Sequence, residues 1–61
     1  MKTIKLINSK NGWLARYEDK EVISAFGTDT IPTPFLETCS PMEVKEAIQK
    51  LNKDYLVVFA L

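Results

Sequence analysis

The sequence contains no histidine and a single cysteine, Cys39. These two shortages exclude an intrachain disulfide and the usual Cys/His zinc sites, and they leave a nucleophile without an imidazole base. Glycine is almost as scarce, at two residues, so no repeated-glycine phosphate cradle can be assembled. Long apolar runs are also missing. The longest, Tyr55 to Leu61, falls far short of the ~20 residues that span a bilayer, and the opening Met-Lys-Thr-Ile-Lys-Leu-Ile lacks the apolar core of a signal peptide. The expected location is cytoplasmic, with no membrane partner, and a solitary thiol is compatible with that compartment. Nor is there net charge: eight basic side chains balance eight acidic ones, with a pI near 6.1. This balance argues against a protein that coats nucleic acid, because such affinity comes from counterions released by clustered Lys and Arg.

At 61 residues and 7.0 kDa the chain cannot hold a substrate domain beside a cofactor domain, nor enclose a pocket of several hundred Å³. No enzyme is expected, and no catalytic, cofactor-binding or metal-ligating residue is assigned. Ordering the chain costs roughly 1.5 kcal/mol per residue, about what so small a core returns. With disulfide and metal excluded, self-association is the remaining support.

The charges are less even along the chain than in total. Residues 1 to 20 carry five bases, Lys2, Lys5, Lys10, Arg16 and Lys20, against Glu18 and Asp19, whereas residues 21 to 43 carry four acids and no base. Such polarity can orient a partner, although ordinary solvated edges produce the same distribution.

No repeat, low-complexity run or linker divides the chain, so residues 1–61 read as one domain. Thr3 to Leu6 alternate with period two, Ile4 and Leu6 on one side, which predicts a half-buried strand continuing into Ile7. Asn8 to Gly12 reads as a turn, with Asn11-Gly12 both tolerant of positive φ, and Trp13 to Tyr17 as the second strand of a hairpin. Glu18 to Gly27 fits either one or two helical turns, capped by Asp19 and closed by Gly27, or a strand over Glu21 to Phe26; the helix is preferred. Thr28 to Leu36 is expected to be extended. Pro32 and Pro34 lie two apart, so their missing N–H groups fall on one side, and Ile31, Thr33 and Phe35 can donate on the other: an edge strand.

Ser40-Pro41-Met42-Glu43 combines a serine N-cap, proline at the first helical position and glutamate three residues after the cap. The helix it opens carries Val44, Ala47, Ile48 and Leu51 as an apolar stripe and ends near Asn52; Cys39 and Val44 can form a hydrophobic staple. In the closing strand, Tyr55, Val57, Phe59 and Leu61 point one way and Leu56, Val58 and Ala60 the other, so both faces are apolar. One helix covers one face. The other is left bare, beside Trp13 or Leu14, and larger in apolar area than a small monomer usually leaves in water.

Other clusters read more simply as structure. Cys39 at a helix N-terminus could be a reactive thiol, but Glu37 and Glu43 flank it and the staple accounts for it. Gly27-Thr28-Asp29-Thr30 has turn and capping chemistry, the scattered carboxylates show no opposed pair, and Pro32-Thr33-Pro34 is too short and too close to Phe35 and Leu36 for a polyproline ligand.

The predicted architecture is α+β: a small sheet of three to four strands in the order β-β-short helical turn-β-α-β, with one main helix packed on one face. A Gly-aromatic hairpin (Gly12-Trp13) followed by an edge strand and a capped helix is broadly similar in pattern to the small partner-binding domain of HicB-type antitoxins. As far as that resemblance goes, it implies a partner-binding domain. The expected function is a noncatalytic protein–protein interaction module that self-associates, as a homodimer, through a sheet face, or that binds another protein. The candidate interface comprises Trp13, Tyr17, Tyr55, Val57, Phe59 and Leu61. The alternative is small-ligand or single-stranded nucleic-acid binding at the same aromatic face, with Lys2, Lys5, Lys10 and Arg16 nearby.

Overall fold

A computed structural model describes residues 2–60. The fold is α+β, in the order β1 (Lys2–Ser9), β2 (Gly12–Tyr17), α1 (Lys20–Phe26), β3 (Thr30–Pro32), α2 (Pro41–Leu51) and β4 (Tyr55–Phe59). The four strands form one mixed sheet ordered β3-β2-β1-β4, in which β1 runs parallel to β4 and β2 pairs antiparallel with both β1 and β3. Both helices suggested by the cap signals are present.

The hairpin turns on Lys10 and Asn11, with Ser9 opposite Gly12. The turn is tighter than the Asn8–Gly12 stretch suggested by the sequence, since Asn8, Ser9 and Gly12 already pair in the ladder. Asn11 does not take positive φ; Gly12 does, at 108°, and it is already the first residue of β2. The Ser9 hydroxyl organises the turn instead, accepting from the Asn11 N–H at 3.2 Å and donating to the Gly12 carbonyl at 2.8 Å.

Asp19 caps α1 by accepting from the Glu21 N–H, and Gly27 closes it in the left-handed conformation at φ 73°. The edge strand β3 is three residues long rather than the full Thr28–Leu36 stretch, because Pro32 and Pro34 cannot sustain a regular ladder. Its attachment to β2 nevertheless continues beyond it. Thr33 N–H donates to the Trp13 carbonyl and Trp13 N–H to the Phe35 carbonyl, each at 3.0 Å. Ser40 occupies the N-cap of α2, yet its exposed hydroxyl makes no capping bond, and Pro41 at the first helical position supplies the preset φ that starts the helix.

The core is continuous across the sheet. Ile4 and Leu6 of β1, Trp13 and Ala15 of β2 and Val57 of β4 are buried with Val44 and Ile48 of α2, and Cys39, Tyr17, Phe35 and Tyr55 pack around them. Cys39 and Val44 thus join one cluster, as a staple requires. Leu51 does not extend the stripe: it stands 83% exposed. The register places Ile4 beside Val57 and Leu6 beside Ala15, so the face built from Ile4, Leu6, Trp13, Ala15 and Val57 is the one that α2 covers. Helix α1 buries no residue and supplies no second lid.

Candidate interaction surfaces

The five candidate interface residues that are described, Trp13, Tyr17, Tyr55, Val57 and Phe59, lie on the helix-covered face. Trp13 and Val57 are buried there, Tyr17 and Tyr55 are half-buried, and Phe59 is exposed along the β4 edge; Leu61 lies outside the described residues. The aromatics meet in two pairs, Trp13 with Phe59 at a centroid distance of 6.1 Å and Tyr17 edge-on to Tyr55 at 5.7 Å. They form the floor beneath α2, and the indole of Trp13 is not open to stack a base. Its Nε1–H donates to the Cys39 carbonyl at 3.3 Å, which ties β2 to the segment leading into α2.

At one end of this floor sits a polar cluster that the sequence pattern does not reveal. The chain leaves β2 through Asp19, whose carboxylate accepts from the Tyr55 hydroxyl at 3.0 Å and meets the Lys2 ammonium at 3.2 Å. The Asp19 side chain is only 8% exposed. The hydrogen bond from the Glu21 N–H holds its pKa below the usual carboxylate range, with Lys2 and Tyr55 adding to the effect and partial burial opposing it. Tyr55 is pushed upward, first by burial and then by the bond it donates to Asp19, and Lys2 is raised by its hydrogen bond and charge attraction to the same carboxylate.

These shifts fix a sign. A carboxylate with a depressed folded-state pKa contributes stability above its unfolded value, and that contribution is lost as pH falls through the folded value, below about pH 4. The raised groups Tyr55 and Lys2 contribute fully below their unfolded values and lose their contribution as pH rises beyond about 10. Thermal melts across this range are expected to give a plateau with a fall at each end. Asp19→Asn, which keeps the cap acceptor and removes the charge, should lower the plateau and flatten the acid limb. An acid limb unchanged in Asp19→Asn would show that other carboxylates control it.

The opposite face has no lid. Ile7 and Leu14 face each other across β1 and β2, and Leu56 and Val58 stand on the same face of β4, beside Thr3 and Lys5. Leu56 is 48% exposed, and Ile7, Leu14 and Val58 are half-buried. Lys5 and Arg16 lie directly opposite one another among these apolar side chains, and Lys5 reaches Glu18 at 3.1 Å. Like charges in that position repel, and Glu18 offsets the charge of Lys5.

Among the described residues no group of His, Cys, Asp and Glu could hold a metal ion, no pocket is formed, and no helix is long and apolar enough to cross a membrane. Cys39 is free and half-buried. The fold defines the class, a small α+β domain with a four-stranded mixed sheet. Comparison with protein-family models, curated proteins and solved structures returns no match.

Proposed function

We propose that the chain is a noncatalytic protein–protein interaction module that self-associates through its open sheet face. One observation carries this reading: Ile7, Leu14, Leu56 and Val58 gather on the face that neither helix lids. Ile7 and Leu14 form one apolar end of this face and Leu56 and Val58 the other, with the Lys5 and Arg16 pair between them; half-exposed apolar side chains of this kind are what an isologous contact buries. The reading assigns the module to the cytoplasm, where an unpaired thiol such as Cys39 is kept reduced.

Sedimentation equilibrium tests it. The wild-type chain is expected to show a concentration-dependent mass of at least twice 7.0 kDa. The double variant Leu14→Glu, Leu56→Glu should lose this face contact while staying folded, because both new carboxylates lie near Lys5 and Arg16. A wild-type mass of one chain at every concentration would end the reading, as would a folded double variant with undiminished association.

A further inference from the structure

The two edges of the sheet are protected unequally. On the β3 side, Pro32 and Pro34 remove donors from the outer edge. On the β4 side, Tyr55 to Leu61 contains neither proline nor charge. The hydrogen bonds show which groups face outward. Ala60 N–H donates inward to the Leu6 carbonyl at 2.9 Å, so residues 56, 58 and 60 serve the ladder with β1, and Tyr55, Val57 and Phe59 turn their N–H and C=O groups away from it.

The first part of that outer edge is already occupied. Tyr55 N–H donates to the Asn52 carbonyl at 3.1 Å. The Gln49 carboxamide then does what a neighbouring strand's peptide would do: its Nε2 donates to the Tyr55 carbonyl at 2.7 Å, and its Oε1 accepts from the Val57 N–H at 3.3 Å. A third bond, from Nε2 to the Asn52 carbonyl at 3.0 Å, holds the amide in place. Gln49 reaches no further. Beyond it, the Val57 carbonyl and both polar groups of Phe59 have no partner among the described residues, and Phe59 itself is 38% exposed.

We propose that this uncovered half of β4 pairs antiparallel with β4 of a second copy, about a two-fold axis at Phe59, joining two sheets into one of eight strands. Two features select this occupant. In an antiparallel pair, a residue whose N–H and C=O both point outward can exchange both bonds with its own symmetry mate, and Phe59 meets that condition. Among the described residues an antiparallel copy overlaps this strand only over 58–60, clear of the Tyr55 and Val57 groups that Gln49 holds. A parallel strand along the whole edge would displace it. The pairing sets the two Phe59 rings side by side on the helix-covered side and Val58 opposite Ala60 of the second copy on the bare side, adding apolar contact to the two exchanged bonds. This edge contact is separate from the open-face contact proposed above.

The test uses the position of a single N–H. Phe59→Pro removes an outward donor and spares the ladder with β1, whereas Phe59→Ala keeps the donor and removes the ring. By native mass measurement on the Leu14→Glu, Leu56→Glu background, the chain should be dimeric, should remain so with Phe59→Ala at weaker affinity, and should become monomeric with Phe59→Pro at unchanged circular dichroism. In the wild type, the Phe59 amide should exchange about tenfold more slowly at about 1 mM than at about 10 µM, with an intermolecular Hα–Hα contact between Val58 and Ala60. The amide measurement decides the matter even where Phe59→Pro does not fold. A folded Phe59→Pro chain that keeps its dimer mass, or a Phe59 amide indifferent to concentration in an associating wild type, overturns the edge pairing. Loss of association in Leu14→Glu, Leu56→Glu alone leaves the open-face reading standing without it.

Discussion

Replacement of Trp13 by alanine is expected to abolish the cooperative unfolding transition at 25 °C. Trp13 is 4% exposed and lies at the junction of three parts of the molecule. Its ring packs in the cluster formed with Ile4, Leu6, Val44 and Val57, its indole N–H holds the Cys39 carbonyl just before α2, and its backbone exchanges bonds with Thr33 and Phe35. The Thr33 hydroxyl adds a further bond to the Trp13 carbonyl at 2.6 Å. Truncating a buried tryptophan costs about 3–5 kcal/mol, and a domain of this size has about 3–5 kcal/mol to lose. Trp13→Phe separates the two contributions. It keeps most of the apolar volume and surrenders the bond to Cys39, so its cost should be nearer 1 kcal/mol and its transition should survive. Urea titration followed by far-ultraviolet circular dichroism distinguishes the cases. A Trp13→Ala chain with a sharp transition near the wild-type midpoint would mean that the cluster closes over the vacancy and that Trp13 does not hold the covered face together.

Much of this fold is legible in the sequence because local chemistry and hydrophobic period agree. Pro41 at the first helical position and the Val44, Ile48 spacing suffice to start α2 and aim it; the missing hydroxyl cap at Ser40 costs the inference nothing. Asp19 and Gly27 bracket α1 for equally local reasons. Pro32 and Pro34 show which side of β3 must face solvent, although not how soon regular pairing stops. What the pattern cannot give is the face that α2 chooses. Both faces of β4 are apolar, and Trp13, Ala15 and Tyr17 on one side of β2 compete with Leu14 on the other, so period-two alternation has no preferred answer. The choice belongs to the path of the chain from β1 to its parallel neighbour β4, a matter of crossover handedness that side-chain periodicity does not encode. Trp13 and Val57 therefore read as interface candidates although the structure uses both in its own core. Gln49 and Asp19 are hidden for a different reason. A glutamine on the polar side of an amphipathic helix looks solvated, and only the register of β4 beneath it turns its amide into a strand's surrogate. Asp19 reads as a cap, while its bonds to Tyr55 and Lys2 span long stretches of chain.

Gly12 carries the second large effect, and its cause is also nonlocal. Gly12→Ala should destabilise the chain by about 3 kcal/mol, well beyond the loss expected at the other glycine. At φ 108° Gly12 occupies backbone space that side-chain-bearing residues rarely enter, and an added Cβ would lie 2.7 Å from the Phe35 carbonyl oxygen. That oxygen is main chain and cannot swing aside as a side chain could. It is also the acceptor for the Trp13 N–H, so any retreat lengthens the bond that fastens β2 to the segment entering α2. Gly27 provides the internal control. Its φ of 73° is likewise positive, but a Cβ there meets nothing within 4 Å, so Gly27→Ala bears only the left-handed penalty of about 1–2 kcal/mol. The difference between the two urea midpoints isolates the contact with Phe35, and Trp13 fluorescence should respond to Gly12→Ala alone. Equal losses at both glycines would mean that the Phe35 carbonyl gives way freely, and that the close approach of hairpin and edge segment does not clamp the sheet to its helix.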